Sequence, residues 1–148
     1  MNLTLVAGSL ASLVSVVVGA ELGRRGSQQT NAANILMQTR IQVYCEYLTA
    51  LNLFRKVRLD RWNSIQEGRE TDVVRFESYA AKAEIYASLA KVQLVSHDPS
   101  VATVAEAAFK STDQVKNATP ETLAAILDRA KVDLGEFVRV AGRNVAAQ

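Results

Sequence analysis

The chain has one histidine, one cysteine and two prolines among its 148 residues, and each scarcity removes a class of chemistry. A lone cysteine, Cys45, allows no internal disulfide and has no second thiol at redox or zinc spacing. On a helical stretch it reads as a small buried hydrophobe. The lone histidine, His97, stands in a turn, whereas an activated nucleophile needs a base that a third group holds in place. A carboxylate-bridged metal site in a helical bundle needs Glu-x-x-His, which is missing. The phosphate-binding loops GxxxxGK[ST] and GxGxxG are missing too. No catalytic, cofactor-binding or metal residue is therefore assigned, and the chain is expected to be non-enzymatic and without cofactor. Charge of one sign is also scarce: Lys+Arg 17 against Asp+Glu 15 leaves a net +2. No basic block with interleaved aromatics occurs, which argues against nucleic acid as a partner. Strand signals and internal repeats are lacking as well.

What is present begins at the N-terminus. Leu3 to Leu22 is a run of Leu, Val, Ala, Ser and Gly with no charge before Glu21, closed by Arg24-Arg25. About twenty helical residues at about 1.5 Å each cover the roughly 30 Å hydrocarbon core of a bilayer, so the run is expected to be a transmembrane helix. Val18-Gly19-Ala20 has the shape of a signal-cleavage site. A cleaved signal, however, normally carries a basic n-region and an apolar stretch of about 7–15 residues, and this run lacks the first and exceeds the second. Arg24 and Arg25 lie on its C-terminal side, so the positive-inside rule puts the N-terminus outside and the rest in the cytoplasm. The expected location is the inner cell membrane, single-pass. Ala7, Ala11, Ser15 and Gly19 recur every four residues, with Gly8 and Ser12 beside them. Small residues let membrane helices approach closely, which makes these six a candidate packing face.

The remainder reads as all-α. Residues 1–23 form the expected anchor, 24–33 a basic connector and 34–148 an antiparallel bundle of about four helices, the first one long. From Ser27 to Gln66 there is no Pro or Gly, and Ile35, Met37, Ile41, Tyr44, Leu48, Leu51, Phe54 and Trp62 recur at helical spacing. The Asn31–Asn34 stretch is a candidate break. Arg55, Lys56, Arg58 and Arg61 suit a solvated face near the negative helix end. A loop at Gly68 precedes a helix beginning at Glu70 or Thr71, whose expected core stripe is Val73, Phe76, Ala80, Ala83, Ala87, Ala90 and Leu94. Small side chains there would admit the aromatic face of the first helix. Asp98-Pro99 starts a third helix by cap and first-turn proline, with Val101, Val104, Ala105, Ala108 and Phe109 on its apolar face. Thr119-Pro120-Glu121 repeats the device before a last helix with Leu123, Ile126, Leu127, Ala130, Leu134, Phe137, Val138, Ala141 and Val145. Glu46, Glu77 and Glu84 lie near the stripes of the first two helices, as do Arg55 and Arg58. These five are expected to form ion pairs that set the hairpin register.

The apolar N-terminal span, the Arg-Arg stop and the helix reading Tyr44-Cys-Glu-Tyr47-Leu48-Thr-Ala50-Leu51 together resemble small single-pass bacterial and bacteriophage membrane proteins with a cytoplasmic helical domain. The resemblance implies an envelope setting and no particular activity. The expected function is a membrane-anchored helical interaction or scaffold protein, with the lipid bilayer and either its own copies or another membrane protein as partners. A phage-type membrane effector that excludes infection or perturbs the bilayer is the alternative from another class, and a small-ligand-binding bundle is the third.

Overall fold

The computed structural model describes residues 26–146, with side chains from residue 31 onward. Over that range the chain is α1 (Gly26–Gln66), α2 (Asp72–Val95), α3 (Pro99–Asp113), a 3-10 turn (Gln114–Asn117) and α4 (Leu123–Ala146), with no strand among the described residues. The expected anchor, its packing residues Ala7, Gly8, Ala11, Ser12, Ser15 and Gly19, and the flanking Arg24 and Arg25 lie outside the described residues. Among the described residues no helix is long and apolar enough to cross a membrane. The bundle belongs to the compact unit that begins at Leu36.

Helix α1 runs unbroken through Asn31–Asn34, since nothing in that stretch removes a backbone donor or demands a left-handed residue. It stops at Gly68, whose φ of 65° is the left-handed conformation that a helix-ending glycine adopts. Arg69 N–H then bonds Ser64 O at 2.8 Å and Gly68 N–H bonds Ile65 O at 3.0 Å, the paired closure that satisfies the last carbonyls. Thr71 caps α2 by accepting from Val74 N, and Asp98 caps α3 by accepting from Ser100 N at 2.8 Å with Pro99 in the first turn. The Thr119-Pro120 device behaves differently. Thr122 Oγ1 accepts from Thr119 N at 2.9 Å, making a turn, and α4 begins only at Leu123. The 3-10 turn, which has no sequence counterpart above, buries Val115 and closes the end of the core.

Helices follow one another up and down. Along α1 the contacts move from Arg40 to Arg58 while those on α2 move from Val95 back to Ser78, so the pair is antiparallel. Tyr47 meets Ala105 and Arg58 meets Asp113, so α1 and α3 run parallel. Tyr44 meets Asn144 and Tyr47 meets Phe137, so α4 is antiparallel to α1. The centre is aromatic: Tyr47 and Phe137 pack edge to face at 4.8 Å, and Phe54 stacks on Phe109 at 5.6 Å. Burial pushes the Tyr47 phenol far above its ordinary value, so it keeps its proton and donates a hydrogen bond to Ala105 O at 2.6 Å.

Three stripes differ from expectation. On α1 the inward face is Arg40, Tyr44, Tyr47, Leu51, Phe54 and Arg58, spaced alternately by four and three as a bundle seam requires. Arginines occupy both ends of it, while Ile35 and Ile41, which lie off that seam, are exposed. On α2 the stripe Val73, Phe76, Ala80, Ala83, Ala87, Ala90 and Leu94 faces outward, and the core takes Ser78, Ala81, Ile85, Ser88, Leu89 and Val92 instead. Ser78 is claimed by Arg58, and the small Ala81 and Ser88 let the backbones approach. On α4, Val138 is also exposed, and Val140 replaces it in the core.

Candidate functional site

Two features stand out on this frame: a basic pocket at the α1–α2 turn end of the bundle, and the outward face of α2.

The pocket starts from Arg58. It occupies a seam position of α1 and is only 4% exposed, so its charge must be answered from within. Nη2 donates to Asp113 Oδ1 at 2.7 Å, Nη1 donates to Ser78 Oγ at 3.0 Å, and the guanidinium lies over the Phe54 ring at 4.9 Å. Nε is buried and makes no hydrogen bond. Asp113 answers two more cations through Oδ2, Lys116 at 2.7 Å and Lys82 at 3.6 Å. Burial opposes its charge, yet Lys116, Arg58 and Lys82 together hold its carboxyl below the ordinary carboxylate range. Next to this triad, Arg61 Nε donates to Glu70 at 2.8 Å and stacks over Tyr79 at 5.4 Å. Glu70 is shared with Arg75, and its carboxyl too is held low, chiefly by its hydrogen bonds from these two arginines. Trp62 Nε1 donates to Ala118 O at 2.8 Å, which fixes its ring in the wall. The space between them is about 370 Å³ and is lined by Arg58, Arg61, Trp62, Tyr79, Lys82 and Lys116, with Ile65 and Asn117 beside them.

Of the five residues expected to pair as hairpin ion bridges, the structure brings none to another. Glu46 meets Lys91 of α2 at 2.9 Å, a bridge across the hairpin, while Arg58 meets Asp113 of α3. Among the described residues Arg55, Glu77 and Glu84 form no ion pair; Arg55 is half-buried and the two glutamates are exposed. Arg58 and Arg61 are drawn inward rather than lying on a solvated face. Cys45 is exposed, not buried, and His97 is exposed in its turn. Among the described residues no cluster of His, Cys, Asp or Glu side chains could hold a metal. Asp113, Lys82 and Lys116 escaped sequence reasoning because they sit on three separate elements. The available signal was Arg58 itself, a charge on an otherwise apolar seam, which demanded a distant carboxylate.

The outward face of α2 repeats every seven residues. Val73, Ala80, Ala87 and Leu94 form one row and Phe76, Ala83 and Ala90 the other, all exposed; Phe76 is 73% and Leu94 85% accessible. Glu77, Glu84 and Lys91 flank one side of these rows and Tyr79, Tyr86 and Gln93 the other. This is the layout of a coiled-coil seam, and large apolar groups left this exposed in a row mark an interaction surface.

Residues 41–145 match the model of a family described as KilB plasmid transfer protein, a span that contains both features. No curated protein and no solved structure matches the chain.

Proposed function

We propose, on the premise that the chain belongs to the KilB plasmid transfer protein family, that it is a non-enzymatic, membrane-anchored helical interaction protein. In this reading it serves plasmid transfer by pairing with a second copy of itself across α2. The anchor at residues 3–22 tethers the bundle to the cytoplasmic face of the membrane, with Arg24 and Arg25 fixing the direction. The observation that carries the reading is the seven-residue repeat on the exposed side of α2.

A second copy fits that face in an antiparallel register. With the two-fold axis level with Ile85, Phe76 of one copy lies opposite Leu94 of the other, Ala80 opposite Ala90, and Ala83 opposite Ala87. Bulk then closes both ends, and alanines let the backbones come close between them. Glu77 of each copy comes beside Lys91 of the other, giving two attractive flanking pairs. Sliding by one heptad one way would set Glu77 against Glu84 twice and leave Leu94 without a partner; sliding the other way would set Glu84 beside Lys91 twice but leave Phe76 without a partner, so pairing of the large end residues selects the register.

The test is plasmid transfer and cross-linking in the same cells. Ala83→Glu with Ala87→Glu places uncompensated charges in the seam. Expected results are loss of the cross-linked dimer from membrane fractions and a fall in transfer of at least about tenfold. A dimer that persists, or transfer that is unchanged while deletion of the whole gene abolishes it, would remove α2 from the mechanism and leave the family role standing. If expression alone collapses the membrane potential, with or without the two substitutions, a bilayer-perturbing effector takes the place of this reading.

A further inference from the structure

We propose that the basic pocket between α1, α2 and the 3-10 turn is a binding site for a phosphate monoester, with the phosphate among Arg61, Lys82 and Lys116 and the organic part against Trp62 and Tyr79. The first support is charge. Arg58, Lys82 and Lys116 share the single carboxylate of Asp113, while Arg61 and Arg75 are matched by Glu70 and Asp72, so cations exceed carboxylates around Asp113. Purely structural pairing would balance them; a surplus facing a cavity attracts an anion. The second support is shape. The space of about 370 Å³ lies within the roughly 300–1,000 Å³ of small-molecule sites, which join apolar walls to a few placed polar groups. Arginine forks and lysine ammoniums both suit phosphate oxygens.

Such a phosphate can belong to a dissolved compound or to a lipid headgroup, and the chain carries its own reporter for telling them apart. Trp62 is its one tryptophan and lines the pocket. Its fluorescence is followed on the full-length chain, first in mild detergent with inorganic phosphate and with adenosine monophosphate, against chloride at equal ionic strength. It is then followed on the reconstituted chain in vesicles containing phosphatidic acid, against phosphatidylcholine alone. A saturable change with the soluble phosphates assigns a free ligand; one confined to phosphatidic acid assigns the headgroup. In either case Lys82→Gln and Lys116→Gln should each weaken binding about tenfold, while Lys82→Arg, which keeps the charge, binds nearly as wild type. Thermal melts of all three variants show whether they fold, and a phosphate-induced rise in the wild-type melting temperature that the Gln variants lack is the second readout. No saturable change with any probe in either readout, or a change that Lys82→Gln and Lys116→Gln leave intact, overturns the site.

Discussion

Removing Asp113 should cost far more than removing the arginine it faces. In Asp113→Ala, three cations lose their common carboxylate. Lys116 and Lys82, with side chains 43% and 27% exposed, can swing toward water. Arg58 cannot, being held under Phe54 and Ser78 with Nε already unpartnered. An uncompensated buried charge costs about 3–5 kcal/mol, which in a domain of this size is roughly 10–20 °C in melting temperature. In Arg58→Met, the apolar chain can still cover Phe54, Asp113 keeps Lys116 at 2.7 Å, and Ser78 loses one donor; the cost is about 0–2 kcal/mol. The double variant Arg58→Met/Asp113→Ala should then be more stable than Asp113→Ala alone, because the charge needing an answer has gone. Urea unfolding of the full-length chain in mild detergent, followed by far-ultraviolet circular dichroism, gives midpoints and slopes for all four proteins. The reasoning is refuted if Asp113→Ala costs no more than Arg58→Met, or if the two losses add within about 0.5 kcal/mol.

The same carboxyl sets an acid limit. Because it is held below its ordinary value in the folded chain, its contribution is complete above the unfolded value near pH 4 and is lost as the pH falls through the folded one. The stability gap between wild type and Asp113→Ala should therefore narrow below about pH 4, whereas a gap constant to pH 2.5 would contradict it. Tyr47→Phe removes only the hydroxyl bonded to Ala105 and should cost about 1 kcal/mol, against about 3–5 kcal/mol for Tyr47→Ala, read from the same urea midpoints. Because burial raises the Tyr47 phenol, its contribution is present below the unfolded value near pH 10 and is lost above it, and Tyr47→Phe should lessen the alkaline loss. In the α2 dimer Glu84 meets its own counterpart across the axis, so Glu84→Gln should tighten association about twofold by analytical ultracentrifugation in detergent; weakened association would exclude the register.

What could be read from the sequence followed the local chemistry. Thr71, Asp98-Pro99 and Gly68 act within a few residues of themselves, so the ends of α1, α2 and α3 were visible. The apolar stripe of α3 was visible as well, for Val101, Ala105, Ala108 and Phe109 are its inward face and no second stripe competes with them. Thr119-Pro120 has similar residues but does not start the helix directly. There the Thr122 hydroxyl takes the Thr119 N–H and spends three residues on a turn. The pocket was hidden for another reason. Its charges lie on α1, α2, α3 and the 3-10 turn, and only the packing of those elements makes Asp113 a common neighbour.

Helix α2 was the hardest to read because it carries two helical stripes, and hydrophobicity ranks them in the wrong order. Val73, Phe76 and Leu94 outweigh Ser78, Ala81 and Ser88 by any transfer scale, yet the second set is inside. Burying Phe76 would gain roughly 2–3 kcal/mol of transfer energy. Turning α2 to do so would withdraw Ser78 from Arg58 and move Lys82 away from Asp113, leaving buried polar groups unanswered at a cost of similar or larger size. The arginine on the α1 seam, together with the buried Ile85, Leu89 and Val92, thus holds this face of α2 inward. The face it turns outward is the one with the seven-residue repeat, and Tyr79, which flanks that repeat, also lines the pocket. One buried charge therefore links the pocket and the exposed seam: the first surrounds its counter-ion, and the second is what the helix shows once Ser78 is committed to that charge and Ile85, Leu89 and Val92 to the core.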